Sequence, residues 1–147
     1  MVRTPVPART ATKVRVRQVQ LPAAGQAAAL GRRFARETLS VWGIGHLEED
    51  TVLVVSELVG NAVRHARLAG SALGLRLEAD GGRLRIEVTD SDPCLPRPRV
   101  PDVDDESGYG FVLVDALSSR WGVRETPGGK AVWVELGTGP AAEPHSA

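Results

Sequence analysis

Three side chains capable of chemistry follow one another at four-residue spacing in the first half of the chain. They are Glu57, Asn61 and His65, and residues four apart share one face of a helix. The opposite face is apolar and carries Val52, Val55, Val59, Ala62 and Ala66. Such a helix can pack on a core while lining a polar pocket. The polar face is suited to binding a magnesium nucleotide. It is equally consistent with a solvated surface whose side chains form local hydrogen bonds.

The carboxamide and the carboxylate of this face offer different chemistry. Mg²⁺ prefers oxygen ligands in octahedral geometry and keeps several waters. The side-chain oxygen of Asn61, together with phosphate oxygens, would complete such a shell. Glu57, one turn earlier, can accept a proton from an attacking hydroxyl or water.

Two later motifs carry the functional groups that a nucleotide site requires. Asp90 ends a strand pattern, where its carboxylate can accept a hydrogen bond from an exocyclic amine such as that of adenine; an ordinary turn has the same composition. Gly108 and Gly110 precede a helix, so their backbone N–H groups can approach an anion. A lone Gly-x-Gly is weak evidence for an anion site, and its flanking residues match neither a P-loop nor a dinucleotide-binding fingerprint.

Hydrophobic periodicity indicates the elements that position these residues. In order, we expect a strand from Val14 to Pro22, helices Ala23–Val41 and Leu47–Leu68, strands around 73–77 and 84–88, a loop over 90–107, a helix Phe111–Leu117 and strands Arg120–Arg124 and Ala131–Leu136. This order predicts an α+β two-layer sandwich, with a mixed, mostly antiparallel sheet covered on one face by helices. We expect one domain over 14–137, with flexible tails at 1–13 and 138–147.

Composition excludes several classes of protein. A length of 147 residues fits one domain. The balance of 18 basic and 18 acidic residues argues against direct nucleic-acid or membrane binding. Cys94 is the single cysteine, which excludes a disulfide framework and favours a reducing, cytoplasmic setting.

Taken together, four sequence blocks resemble one superfamily. They are ELVGNAVRHA, VTDSDPCLPRPR, GYGFVLVDALSSRWGV and GGKAVWVEL. In this order the blocks are similar to the motifs of the nucleotide-binding fold shared by gyrase-type, Hsp90-type, histidine-kinase and MutL-type ATPases. Within that superfamily the chain most resembles the stand-alone anti-sigma-factor serine kinases of actinobacteria, from about residue 14 to residue 136.

The resemblance implies roles for individual residues. Asn61 would coordinate the Mg²⁺ that bridges the ATP phosphates, and Glu57 would be the general base toward a protein serine hydroxyl. Asp90 would hold the adenine amino group. The backbone of the Gly108–Tyr109–Gly110 segment would wrap the phosphates.

Arg64 and His65 would support the edge of the same pocket, and His65 equally fits a packed helix residue with local hydrogen bonds. Arg97 and Arg99 on the long loop could neutralise phosphate charge.

The resemblance also implies a function and partners. The protein would phosphorylate a serine of a small antagonist protein and sequester a sigma factor, regulating transcription as a cytoplasmic homodimer. The alternative is an ATP-binding interaction module without phosphotransfer. Glu57 favours the enzyme. The alternative is favoured by Asp92 and Cys94, which replace glycines of the superfamily, and by Ala131, which replaces a usual threonine.

Overall fold

The structure, a computed structural model, describes residues 14–65, 72–90 and 114–137. Its elements are β1 (Arg15–Pro22), α1 (Ala27–Trp42), a 3₁₀ turn (Gly45–Leu47), α2 (Glu48–His65), β2 (Ala72–Asp80), β3 (Arg83–Asp90), β4 (Arg120–Thr126) and β5 (Gly129–Gly137). Residues 114–117 are also helical. The predicted order of strands and helices is therefore present in the described residues, whereas the loop after Asp90, the start of the helix predicted at Phe111 and the predicted tails lie outside them. None of the described helices is both long enough and apolar enough to cross a membrane.

The five strands form one sheet in the order β1-β2-β3-β5-β4. All four pairings between the described strands are antiparallel, so the expectation of a mixed sheet is wrong for this part of the chain. Two tight hairpins account for two of these pairings: the β2–β3 turn at Gly81, with φ of 61°, and the β4–β5 turn at 127–128. Strand β5, more buried than β4, takes the inner position.

The helices cover one face of this sheet and confirm the two-layer α+β architecture. Alternate residues of β2 and β3 supply the sheet side of the core, as period-2 patterning predicts: Leu73, Leu75, Leu77, Leu84, Ile86 and Val88, all at most 2% exposed. The helix side comes from Ala35 and Leu39 of α1 and from Val54, Val55, Leu58 and Val59 of α2. The core therefore lies between the helices and the central strands.

Helix α1 begins at Ala27, four residues later than its composition predicts. The chain first makes tight turns, in which the Ala24 N–H donates to the Pro22 carbonyl at 2.8 Å and the Ala27 N–H donates to the Ala24 carbonyl at 3.0 Å. The helix ends at Trp42, and Gly43 beyond it takes φ of 75°, a left-handed conformation that glycine adopts readily.

Candidate nucleotide-binding site

Helix α2 presents the predicted polar stripe beside its buried face. Glu57 and Asn61 are partly exposed, whereas Val55, Leu58 and Val59 are buried. No other described residue forms a hydrogen bond or ion pair with the Glu57 carboxylate. The backbone of His65 closes the helix, but its side chain lies outside the described residues. The stripe therefore offers a carboxylate and a carboxamide on one accessible face.

The carboxamide of Asn61 is held in a definite orientation by a neighbouring cation. Arg64 donates from Nη2 to Asn61 Oδ1 at 2.7 Å. Because the oxygen of the amide accepts this bond, its NH₂ group faces elsewhere. The structure thus links two of the predicted site residues directly.

Asp90 ends β3 with its side chain on the helix-covered face. It follows Ile86 and Val88 at two-residue spacing, so it shares their face of the sheet. Only 4% of Asp90 is exposed. A buried carboxylate at a strand end can recognise a hydrogen-bond donor deep in a pocket.

The fold brings Asp90 and Asn61 to the same end of the sandwich. Helix α2 ends at His65 and β2 begins at Ala72. Leu73, near that beginning, pairs with Asp90 across the β2–β3 ladder. Because only six residues separate the two elements, the C-terminal end of α2, with Asn61, lies toward the end of the sheet where Asp90 lies. The strand-end carboxylate and the helix-borne amide are therefore at the same end of the sandwich.

Several predicted site residues lie outside the described residues. These are Gly108, Tyr109 and Gly110 and the loop arginines Arg97 and Arg99; Asp92 and Cys94, which stand where the superfamily has glycines, lie outside the described residues too. Their assignments stay predictions. The chain is described again from Val114, which is 1% exposed and belongs to the core.

The β3–β5 register changes the interpretation of Ala131. Asp90 pairs with Lys130, and Thr89 pairs with Ala131. Because neighbouring strand residues point to opposite faces, the side chain of position 131 points away from the face that carries Asp90. A threonine at position 131 would therefore not place its hydroxyl beside Asp90, and Ala131 gives no support to the alternative of an interaction module.

A hydrogen bond that sequence reasoning did not predict joins the two helices at Ser56, one residue before Glu57. Arg32 of α1 donates from Nη1 to Ser56 Oγ at 3.2 Å in a partly buried position. The two residues are 24 apart in sequence, so no local spacing rule pairs them. The bond fixes α1 against the polar stripe of α2.

A second polar region, on the open face of the sheet, is built from crossing ion pairs. Glu135 accepts hydrogen bonds from Arg85 at 3.0 Å and from Arg120 at 3.1 Å, and Glu87 accepts one from Arg124. Burial raises the pKa of the Glu135 carboxyl, but Arg120 and Arg85 lower it more, so the pKa lies below its ordinary value.

This open-face region is separate from the predicted nucleotide site. It borders a cavity of about 380 Å³, which is lined by charged side chains: Arg76, Glu78, Asp80, Arg83, Arg85, Glu87, Arg124 and Glu135. Residues of the central strands that line it alternate with core residues such as Ile86, so they face away from Asp90. The cavity therefore does not unite the residues that suit a nucleotide.

The donor set of α2 fits a magnesium nucleotide better than a resident metal. Within residues 14–65, 72–90 and 114–137, no three His, Cys, Asp or Glu side chains cluster as metal ligands. Mg²⁺ bound with a nucleotide takes one or two protein oxygens, and phosphates and waters supply the rest. The amide oxygen of Asn61 is sufficient for that arrangement.

Known proteins share this sequence pattern and fold. A model of the histidine kinase-like ATPase domain family matches residues 21–136. An uncharacterized protein of Streptomyces coelicolor is 46% identical over 66 residues, which are 43% of this chain. The match spans 58% of that relative, a little over half its length.

A solved structure has the same fold. The structure of the RsbU and RsbW domains of Rv1364c from Mycobacterium tuberculosis superposes with a TM-score of 0.63 and 24% identity, covering 83% of this chain and 32% of that chain. The α+β fold is therefore shared, although this chain corresponds to about a third of that protein. Because the family model matches most of its length, the chain belongs to the histidine kinase-like ATPase domain family, and membership of an ATPase family implies that it binds ATP.

Proposed function

We propose that this protein is a magnesium-dependent serine kinase of the anti-sigma-factor type. It phosphorylates a serine of a small antagonist protein and sequesters a sigma factor in the cytoplasm. The observation that carries the proposal is the partly exposed Glu57–Asn61 stripe of α2, at the end of the sheet where Asp90 is buried. The resemblance of four sequence blocks to that class of kinase supports the choice of substrate.

In this proposal Asn61 and Asp90 bind and orient the nucleotide. The amide oxygen of Asn61 would provide one ligand for Mg²⁺, which would supply neutralisation of phosphate charge. The carboxylate of Asp90 accepts a hydrogen bond from the adenine amino group. The backbone of the Gly108–Tyr109–Gly110 segment donates N–H groups to the phosphates, and His65 lies at the edge of the pocket.

Glu57 acts as the general base toward the antagonist. As the serine oxygen forms its bond to the γ-phosphorus, the bond from that phosphorus to the β,γ-bridging oxygen breaks. The serine proton passes to the Glu57 carboxylate, and ADP leaves. Positioning and charge neutralisation supply most of the rate in such transfers.

A labelling experiment with matched glutamate variants tests the kinase proposal. Purified small antagonist proteins from the same organism are incubated with γ-labelled ATP and Mg²⁺. We expect label on a serine with the natural chain, and at least about a hundredfold slower labelling with Glu57→Gln at nearly unchanged ATP affinity. Glu49→Gln, in the first turn of the same helix, is the control and should label normally.

Two outcomes would redirect the proposal. Equal labelling by Glu57→Gln and the natural chain would remove Glu57 as the base. ATP binding without label on any antagonist would favour the second candidate, an ATP-binding interaction module. This alternative is favoured by Asp92 and Cys94, which stand where the superfamily has glycines.

The outer strand β1 supports the proposal of a homodimer. β1 pairs only with β2 among the described strands, so its other edge has backbone groups available for pairing with a second chain. Val14, just before this strand, and Val16 within it are 53% and 42% exposed. Light scattering of the natural chain beside a Val16→Lys variant tests this. A natural chain that is monomeric at micromolar concentration would contradict it.

A further inference from the structure

Arg64 holds the one atom of Asn61 that a magnesium ion would need. Its Nη2 donates to Asn61 Oδ1 at 2.7 Å, and the pair is exposed. The side chain reaches this oxygen by lying across Gly60, where an added Cβ would be 3.7 Å from Nη1. The guanidinium is therefore folded back along the helix rather than extended into solvent.

A metal ion and this guanidinium compete for the same oxygen. Mg²⁺ coordinates an oxygen at about 2.0–2.1 Å. With Nη2 also bonded to Oδ1, two cationic groups would lie within about 5 Å of each other, a repulsive arrangement. Because Arg64 is exposed, it can leave Asn61 without disturbing the core.

We propose that Arg64 occupies the metal-binding oxygen of Asn61 in the nucleotide-free protein and must leave it when Mg²⁺ is coordinated. Arg64 thereby sets the Mg²⁺ concentration at which nucleotide binding becomes complete. It acts through Asn61 and is a positioning residue. The inference rests on the proposed magnesium-nucleotide site.

Magnesium titrations of nucleotide binding test this competition without measuring activity. The full chain is titrated with Mg²⁺ at a fixed concentration of a fluorescent, non-hydrolysable ATP analogue. We expect Arg64→Met to lower the Mg²⁺ midpoint about fivefold, the size of one exposed charge-assisted hydrogen bond. Because the free analogue binds Mg²⁺ equally in each titration, a difference in the Mg²⁺ midpoint between variants must come from a difference between the proteins.

Arg36→Met provides a matched control. Arg36 is exposed and pairs with Glu48 at 3.3 Å, and Glu48 lies about 20 Å along α2 from Asn61. This variant removes the same charge and side-chain length. It should leave the Mg²⁺ midpoint unchanged, whereas Arg64→Lys, which keeps a cation but loses the planar donor group, should fall between the natural chain and Arg64→Met.

The outcomes separate this inference from the proposed function. An unchanged midpoint in Arg64→Met would overturn the competition while leaving the magnesium-nucleotide site intact. Arg64→Met could instead weaken analogue binding by the same factor in Mg²⁺ and in EDTA. That result would identify Arg64 as a phosphate ligand and would also overturn the competition. If the natural chain bound no analogue at millimolar Mg²⁺, the proposed function itself would fail.

Discussion

Trp133 lies against the backbone of Gly122 on the open face of the sheet. A Cβ added at position 122 would be 2.8 Å from Cζ2 of the indole, and the two residues pair across β4 and β5. The guanidinium of Arg85 lies over the ring, 4.3 Å from its centroid. The space left by Gly122 therefore lets the ring lie flat within the arginine cluster.

We expect Gly122→Ala to lower the free energy of unfolding by about 1–3 kcal/mol, because the indole must move from its position between Gly122 and Arg85. Urea unfolding followed by the circular dichroism of the sheet measures this. Gly25→Ala is the control, since no atom lies within 4 Å of a Cβ at that position, and it should be nearly neutral. Equal stability of both variants would show that the indole is free to move.

Glu135 should make stability depend on pH in the acid range. Arg120 and Arg85 hold the folded-state pKa of this carboxyl below its ordinary value of 4.5. The stabilisation is therefore fully present above pH 4.5 and is lost as the pH falls through the lower, folded-state pKa. Glu135→Gln should remove this part of the pH dependence.

Urea unfolding of the natural chain and of Glu135→Gln, measured from pH 7 to pH 3, checks this prediction. At pH 7 the variant should be less stable by about 1–2 kcal/mol, and the difference should shrink as the solution becomes more acidic. Glu125→Gln, which changes an exposed carboxylate on β4, should follow the natural chain at every pH. A difference between Glu135→Gln and the natural chain that stayed constant with pH would contradict the ionic account.

Local patterns could predict the strands and the polar stripe, but not contacts that depend on strand order. The alternation of Leu84, Ile86 and Val88 assigns the buried face of β3 without reference to any other strand. The Arg85–Glu135 bond joins residues 50 apart in sequence. It exists only because β5, rather than β4, pairs with β3, which no local period specifies.

In the candidate site, too, features set by local spacing could be predicted, whereas features set by side-chain rotamers or strand register could not. The spacing of Glu57 and Asn61 is a helical property and was sufficient to predict their shared face. The bond from Arg64 to Asn61 was not predicted, because a three-residue spacing permits a contact but does not choose among the side-chain rotamers of arginine. The face on which residue 131 lies required the register between β3 and β5.

Thr38 should tolerate loss of its hydroxyl. It is fully buried in α1, and its Oγ1 has no hydrogen-bond partner in the described structure. Valine has the same shape without the polar atom, so Thr38→Val should raise the free energy of unfolding by about 1 kcal/mol. Thr38→Ser keeps the hydroxyl and loses a methyl group, and it should lower stability by about 1 kcal/mol.

Thermal and urea unfolding of the two Thr38 variants form the test. The opposite signs matter more than either magnitude, because both variants change the same buried position. A destabilised Thr38→Val would mean that the hydroxyl has a partner, such as a buried water, that stabilises the fold.

Asp90 should determine which base the nucleotide site accepts. A carboxylate accepts hydrogen bonds only, so at the proposed site it would pair with the adenine amino group and repel the carbonyl oxygen of guanine. We expect the natural chain to prefer ATP over GTP by about a hundredfold or more, and Asp90→Asn to reduce this preference to about tenfold or less, because the amide can donate to guanine. Competition between each nucleotide and a fluorescent ATP analogue measures the ratio.

The control for Asp90→Asn must separate base recognition from damage to the fold, since Asp90 is only 4% exposed. A general loss of structure would weaken ATP and GTP binding by the same factor and leave their ratio unchanged. Loss of base recognition changes the ratio itself, because the amide can donate to the guanine carbonyl as well as accept from the adenine amino group. An unchanged ratio in a variant with a natural circular dichroism spectrum would remove Asp90 from the adenine pocket, while Asn61 and Glu57 would keep their proposed roles at the phosphates.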